Sequence, residues 1–159
     1  MVRPSARNDL DIEYRWNDKR YLTHEKFFLL LKTFGDLIPD PMSERVDLDE
    51  YAQKWLKYAD ILFAFHKNKV VGLRVLYAND QETFSAHGLL TSVLPDYQGL
   101  SIGRQMYLLT IELAKERGMK RIFLFVHFEN HIAIKLYKSL GFIEVERKFP
   151  KITMKLDLM

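Results

Sequence analysis

The chain has 159 residues, of which 48% are apolar and 13% aromatic, and its net charge is +3. This length and composition suit one globular domain with a hydrophobic core, and we expect that domain to cover residues 1–159. The charge surplus is small and no basic run stands out, which argues against a nucleic-acid-binding protein. The absence of cysteine excludes disulfides, zinc–thiolate sites and thiol nucleophiles.

The N-terminal residues lack the apolar core of a secretion signal, and no stretch approaches the ~18 apolar residues of a membrane span. We therefore expect a cytoplasmic protein with no membrane partner. Residues 1–8 are expected to form a flexible arm.

The first 60 residues predict one strand and two amphipathic helices. Residues 9–16 alternate polar and apolar, which is typical of a half-buried strand. Thr23 is a favoured helix N-cap, and the apolar residues that follow it repeat at helical spacing up to Gly35. A second short helix is expected to face inward with Leu48, Ala52, Trp55, Leu56 and Ala59.

Residues 61–94 predict three antiparallel strands, because polar turns interrupt the apolar runs at residues 67–69 and 78–81. A helix is then predicted over residues 102–117, and Gly118 ends it. Its inward residues are expected to be Ile102, Met106, Leu109 and Leu113.

The continuous apolar run over residues 122–126 is typical of a strand buried on both faces. Residues 86–127 therefore form a strand–helix–strand crossover, whose two strands must be parallel. A helix over residues 130–140 and strands near 142–147 and 152–158 complete an α+β fold, which we expect to be an α/β/α sandwich.

Two segments carry the functional signal. The segment Gln98–Arg104 is a small-residue turn that opens a helix, where backbone N–H groups and the helix dipole form an anion site. The segment Asn130–Phe142 places a phenol, Tyr137, on the next helix. Together these segments resemble the acetyl-CoA motif pair of the GNAT superfamily of N-acetyltransferases.

The resemblance implies a mixed, mainly antiparallel sheet, flanked by helices, in which the central parallel strand pair is splayed apart to admit pantetheine. It also implies an acyltransferase that moves the acetyl group of acetyl-CoA directly to a primary amine. No two histidines lie at metal-ligand spacing with a carboxylate, so we expect no metal.

The family signature Gln/Arg-x-x-Gly-x-Gly/Ala is matched from Gln98 to Gly103, except that Ser101 stands where the central glycine is usual. Small residues let the backbone approach a pyrophosphate closely, and serine is small, a favoured N-cap, and able to add its hydroxyl. The cofactor contacts that the resemblance implies come from the strand before the loop, from the loop and from the last helix: Thr91, Ser92, Val93, Gln98, Gly99, Leu100, Ser101, Ile102, Gly103, Arg104, Asn130 and Tyr137.

Two catalytic residues are implied. Tyr137 matches a tyrosine that many family members place beside the thioester sulfur, where a phenol can protonate the departing CoA thiolate. A packed core aromatic is the alternative, and both can hold at once.

His87 occupies the place of the general base in histone-acetylating members, four residues before the acetyl-contacting Thr91. An imidazole can take the proton of an amine directly or through water. A strand histidine satisfied by a neighbour is the alternative, and His127 is a weaker candidate.

The acceptor is open among amino sugars, polyamines, aminoglycosides and peptide amines. Five carboxylates within residues 40–50 either attract a cationic amine or cap the second helix and are otherwise solvated, and we favour the second for most of them. A catalytically idle acyl-CoA-binding or regulatory domain is the alternative function, which would need neither His87 nor Tyr137. A homodimer is also open.

Overall fold

The computed structural model describes residues 10–158, so the predicted flexible arm at residues 1–8 lies outside the described residues. The elements are, in chain order, β1 Ile12–Trp16, α1 His24–Phe34, α2 Leu48–Tyr58, β2 Asp60–His66, β3 Lys69–Tyr77, β4 Ser85–Val93, α3 Ile102–Glu116, β5 Arg121–His127, α4 His131–Ser139, β6 Ile143–Lys148 and β7 Lys151–Asp157. Short 3-10 helices lie at Lys19–Tyr21, Met42–Glu44 and Pro95–Tyr97.

The strands form a seven-stranded sheet in the order β1-β2-β3-β4-β5-β7-β6. Strand β4 pairs in parallel with β5, from Ser85 opposite Arg121 to Gly88 opposite Leu124. The pairs β1–β2, β5–β7 and β6–β7 are antiparallel. The predicted α+β class, with a mainly antiparallel sheet and one parallel pair at the crossover, is confirmed. The splay of that pair farther along the strands stays a prediction.

The described residues group into two compact units, one of residues 10–75 and 90–108, the other of residues 76–89 and 109–158. The first unit buries one side of α1 and of α2 and nearly all of β2. Both helices start as the sequence predicts. The Thr23 hydroxyl accepts a hydrogen bond from the Lys26 N–H, and the Asp47 carboxylate accepts from the N–H groups of Asp49 and Glu50.

In the second unit, the prediction that β5 is buried on both faces is wrong. The side chains of Ile122, Leu124 and Val126 are buried on one face, but Phe125 on the other face is 63% exposed. Strand β7 places Thr153 directly opposite Phe125. A polar cross-strand neighbour leaves this face of the sheet half solvated. The apolar run in the sequence predicts that a strand forms, but it does not predict which of its faces are buried.

Helix α3 ends near Gly118, whose φ of 75° lies in the left-handed region, as expected of a glycine that stops a helix. Its predicted inward residues are only partly correct. Ile102 and Met106 are buried, but Leu109 and Leu113 are half-buried. Tyr107 and Thr110 are buried instead, and the Tyr107 hydroxyl accepts a hydrogen bond from the Thr91 hydroxyl. Within residues 10–158, no helix is long and apolar enough to cross a membrane.

Candidate functional site

The turn from β4 into α3 has a backbone conformation that residues other than glycine rarely adopt. Gly99 has a φ of 79° and Ser101 a φ of 65°, both in the left-handed region. Glycine adopts this conformation without steric cost, whereas serine is strained by about 1–2 kcal/mol. The position of Ser101 is therefore one that favours glycine, in agreement with the signature that the sequence departs from there. The Ser101 carbonyl accepts the first hydrogen bond of α3, from Gln105 N at 3.0 Å.

The N–H groups of this turn are available to a ligand. Those of Gly99, Ser101, Ile102 and Gly103 donate no hydrogen bond to any other residue between 10 and 158. A Cβ atom added at Gly99 would meet no atom within 4 Å, so the space beside it is open. Unpaired N–H groups at the start of a helix, with the positive end of its dipole behind them, bind anions. We call residues 98–104 the donor loop.

Three contacts anchor the donor loop and the turn just before it to neighbouring strands of the first unit. The Gln98 side-chain amide donates to the Val93 carbonyl at 3.0 Å, which ties the loop back to the last residue of β4. The Leu94 N–H donates to the Val71 carbonyl at 2.9 Å. The Tyr97 hydroxyl lies 2.7 Å from His66 Nδ1 at the end of β2. The last contact was not predicted, because the sequence indicates only that His66 lies near a turn.

Strand β4 leads into this loop with the alternation that the sequence predicts. Ala86, Leu90 and Ser92 are buried, whereas His87, Leu89, Thr91 and Val93 are half-exposed. The Ser92 hydroxyl is buried and forms no hydrogen bond with another described residue. Since the Ser92 side chain points to the buried face, only its backbone could reach a cofactor beside Thr91 and Val93.

A buried arginine that the sequence analysis passed over contacts Thr91. Arg74 Nη1 donates to Thr91 Oγ1 at 3.0 Å and to the Leu90 carbonyl at 3.2 Å. The side chain is 1% exposed. The signal in the sequence that could have identified it is a single charge inside the apolar run Val70–Leu76. An arginine buried in such a strand needs hydrogen-bond partners within the fold.

In the second unit, His87 lies on the half-exposed face of β4. Its ring stacks on Phe123, the cross-strand partner on β5, with centroids 5.8 Å apart and planes 18° from parallel. The imidazole forms no hydrogen bond with another described residue, so its nitrogen atoms can reach a substrate or water. Hydrogen bonds from Thr83 lower the pKa of the nearby Asp80 carboxyl, and the charge of His87 adds a smaller effect.

His127 is placed differently. Its Nδ1 atom accepts a hydrogen bond from the Glu129 N–H at 3.2 Å and lies 3.9 Å from the Glu129 carboxylate. A neutral histidine has one acceptor nitrogen, and here the backbone already occupies it. His127 is therefore less suited than His87 to accept a proton.

Asn130 caps α4, as predicted, because its side-chain oxygen accepts from the Ala133 N–H at 3.2 Å. Tyr137 is 8% exposed, and its ring packs against Phe142 with centroids 5.8 Å apart. The core-packing interpretation of this tyrosine is thus confirmed, while the chemical role of its hydroxyl stays a prediction. Among residues 10–158, no three histidine, aspartate or glutamate side chains are grouped so that they could hold a metal ion.

The first unit therefore brings together the donor loop, the end of β4, Arg74 and His66. The second unit holds His87, Asn130 and Tyr137. A polar, half-exposed strand end beside an anion-binding loop suits a ligand with a phosphate group at one end and an amide-rich or carbonyl-rich arm.

Comparison with known proteins agrees with this geometry. A mycothiol acetyltransferase of Thermomonospora curvata is 28% identical over 91 residues, which cover 57% of this chain and 30% of the relative. The chain spans about a third or less of the length of the curated relatives it matches.

Two solved structures share the fold. The PaiA N-acetyltransferase of Thermoplasma acidophilum, in complex with coenzyme A, is 18% identical, covers 93% of this chain and 99% of its own, and has a TM-score of 0.69. The ribosomal-protein-S18-alanine N-acetyltransferase of Escherichia coli is 20% identical, covers 92% and 94%, and has a TM-score of 0.74. The model of the acetyltransferase (GNAT) family matches residues 11–142, and the chain therefore belongs to that family.

Proposed function

We propose that this chain is an acetyl-CoA-dependent N-acetyltransferase, which moves the acetyl group directly to a primary amine. The observation that carries the proposal is the set of unpaired N–H groups at Gly99, Ser101, Ile102 and Gly103, at the start of α3. Within the GNAT family, such a loop suits the diphosphate of coenzyme A.

The donor loop holds the diphosphate, and the exposed Arg104 in the first turn of α3 adds positive charge. A cation at a helix N-terminus is unfavourable beside the dipole alone, so its presence there suits an anionic ligand. The backbone N–H groups near Thr91 and Val93 bind the pantetheine arm and the thioester carbonyl. That carbonyl oxygen becomes negative when the amine attacks, and a fixed N–H donor stabilises it.

The remaining steps are proton transfers. Most amine acceptors carry an extra proton near neutral pH, since an alkylammonium group titrates near ~10. His87 takes this proton directly or through a water molecule, and the free amine then attacks the carbonyl carbon. The tetrahedral intermediate collapses, the carbon–sulfur bond breaks, and the Tyr137 hydroxyl donates a proton to the CoA thiolate. The attacking nitrogen gives up its excess proton to water as the amide forms, and the Tyr137 phenolate regains a proton from water. No metal ion takes part in this scheme.

The acceptor class is a small molecule or a peptide that carries a primary amine. The E. coli neighbour is named for an alanine of ribosomal protein S18, so alanine-containing peptides with a free amine belong in any acceptor screen. The screen should also hold amino sugars, polyamines and aminoglycosides. A cytoplasmic location and a homodimeric assembly remain predictions, as does the lack of nucleic-acid and membrane partners.

The test is an acceptor screen in which the purified chain and acetyl-CoA are mixed with each amine and the free CoA thiol is measured. Calorimetry with acetyl-CoA accompanies it. We expect binding of acetyl-CoA and thiol release with at least one class of amine, together with an acetylated product by mass spectrometry. Binding without thiol release from any acceptor would favour the acyl-CoA-binding or regulatory domain instead, and absence of binding would refute both functions.

A further inference from the structure

After its first residue, Lys69, strand β3 carries one charged side chain, Arg74, among apolar residues. Val71, Leu73 and Val75 lie on one face, and Gly72 and Arg74 on the other. A Cβ atom added at Gly72 would lie 3.3 Å from the end of Met106 and 3.4 Å from Ile102, so this second face packs against the start of α3. Arg74 is therefore held beneath the first turns of that helix.

The guanidinium group of Arg74 joins three parts of the first unit. It donates to the hydroxyl of Thr91 at 3.0 Å and to the Leu90 carbonyl at 3.2 Å, both on β4. Its central carbon lies 4.3 Å from the centroid of the Tyr107 ring on α3. The Thr91 hydroxyl in turn donates to the Tyr107 hydroxyl at 3.1 Å. We call Arg74, Thr91 and Tyr107 the β4 clamp.

A buried charge is costly unless hydrogen bonds and an aromatic face replace its hydration. The planar guanidinium presents its donors in a fixed fork, so the hydrogen bonds that Nη1 donates to β4 also fix the plane of the whole group. The two elements that it links flank the donor loop, because β4 precedes the loop in the chain and α3 begins within it. The clamp thus fixes the strand before the loop to the helix after it.

We propose that Arg74 is a positioning residue for the donor site. It acts through Thr91, whose backbone, under the proposed function on which this inference rests, lies at the acetyl-contacting part of β4. The clamp holds that backbone so that its N–H donor meets the thioester carbonyl. Coenzyme A without an acetyl group lacks this carbonyl, so it keeps the contacts of the diphosphate and the pantetheine arm but not the contact of the Thr91 N–H with the carbonyl.

This difference gives a test that needs no acceptor. Calorimetry measures the affinities of Thr91→Val, Tyr107→Phe, Arg74→Met and Arg74→Lys for acetyl-CoA and for CoA. Thr91→Val replaces the hydroxyl with a methyl group of similar size, and Tyr107→Phe removes a hydroxyl from an otherwise identical ring, so both remain informative if Arg74→Met fails to fold. Arg147→Met, which removes an exposed arginine on β6, is the matched control.

We expect the ratio of acetyl-CoA affinity to CoA affinity to fall at least about threefold in Thr91→Val and Arg74→Met, as loss of a single hydrogen bond would allow. Arg74→Lys keeps the positive charge but lacks the forked donors of the guanidinium, so its affinity ratio should lie between those of these variants and that of wild type. The control should match wild type for both ligands.

Two results would overturn the inference while leaving the proposed function intact. One is a wild-type ratio in all four clamp variants. The other is an equal loss of both affinities that tracks a lowered melting temperature, which is the signature of a purely structural role. A wild-type chain that binds neither ligand would instead refute the proposed function, and the inference with it.

Discussion

His66 Nδ1 lies 2.7 Å from the Tyr97 hydroxyl, and the two rings meet edge to face with centroids 5.4 Å apart. This contact ties the end of β2 to the 3-10 turn that precedes the donor loop. The bond spans 31 positions of the sequence, so it joins two segments of the first unit that are distant along the chain.

Removing this bond should loosen the donor loop. Tyr97→Phe keeps the ring contact and deletes only the hydroxyl, so we expect CoA affinity to fall by about fivefold, the equivalent of one hydrogen bond. Calorimetry with CoA checks the change. Tyr51→Phe is the control, because that ring packs on Trp55 within α2. Wild-type affinity in Tyr97→Phe would show that the loop is held without His66.

The Tyr137 hydroxyl should matter for transfer and not for binding. Tyr137→Phe keeps the ring packed on Phe142, so the fold and the cofactor affinity should be retained. A positioned general acid contributes about 10²–10⁴-fold to the rate, and we expect a decrease in turnover of that size with the acceptor identified by the screen. Single-turnover kinetics would isolate the chemical step. An unchanged rate for that step would leave Tyr137 with its packing role only.

The proposed base makes a prediction about pH. His87→Ala should lower kcat/KM most near neutral pH, where the acceptor amine is protonated and needs a base. Raising the pH should recover much of the loss, because more of the amine then arrives deprotonated. The acidic limb of the wild-type profile should also disappear. His131→Ala, on the exposed start of α4, serves as the control.

A wild-type pH profile in His87→Ala would refute the assignment. The base would then be sought at His127 or among water molecules, although the Glu129 N–H already occupies one nitrogen of His127.

Alkaline stability should depend on Tyr14 of β1. Burial raises the pKa of its hydroxyl to about 12 from an ordinary value of 10.0. Between these values the unfolded chain loses the proton while the folded chain keeps it, so stability is lost as the pH rises. At about pH 11 this loss amounts to about 1 kcal/mol. Denaturant titrations at about pH 8 and about pH 11 should show a smaller decline for Tyr14→Phe than for wild type, and equal declines would contradict the prediction.

Local signals in the sequence predict much of the fold. The Thr23 cap, the glycine at position 118 and the polar turn at residues 67–69 act over a few residues, and the elements they bound are confirmed. The parallel pairing of β4 with β5 follows as well, since a strand–helix–strand crossover leaves no other arrangement.

Burial and long-range contacts were harder to predict. The apolar run of β5 predicts a strand, but the exposure of Phe125 depends on what β7 places beside it. Tyr107 and Thr110 are buried where Leu109 and Leu113 were expected, and the Tyr107 hydroxyl has a partner on β4 that helical periodicity does not reveal. Arg74 belongs to the same class, since its partners on β4 and α3 are distant in sequence.

The central claim is that the donor loop binds the diphosphate of coenzyme A through backbone N–H groups. Gly103→Val tests it most directly, because a β-branched side chain in the first turn of α3 crowds the close approach of a phosphate to the backbone. Calorimetry with acetyl-CoA should show a loss of affinity of about a hundredfold or more, as expected when several charge-assisted hydrogen bonds are broken. Wild-type affinity in a folded Gly103→Val variant would contradict the account.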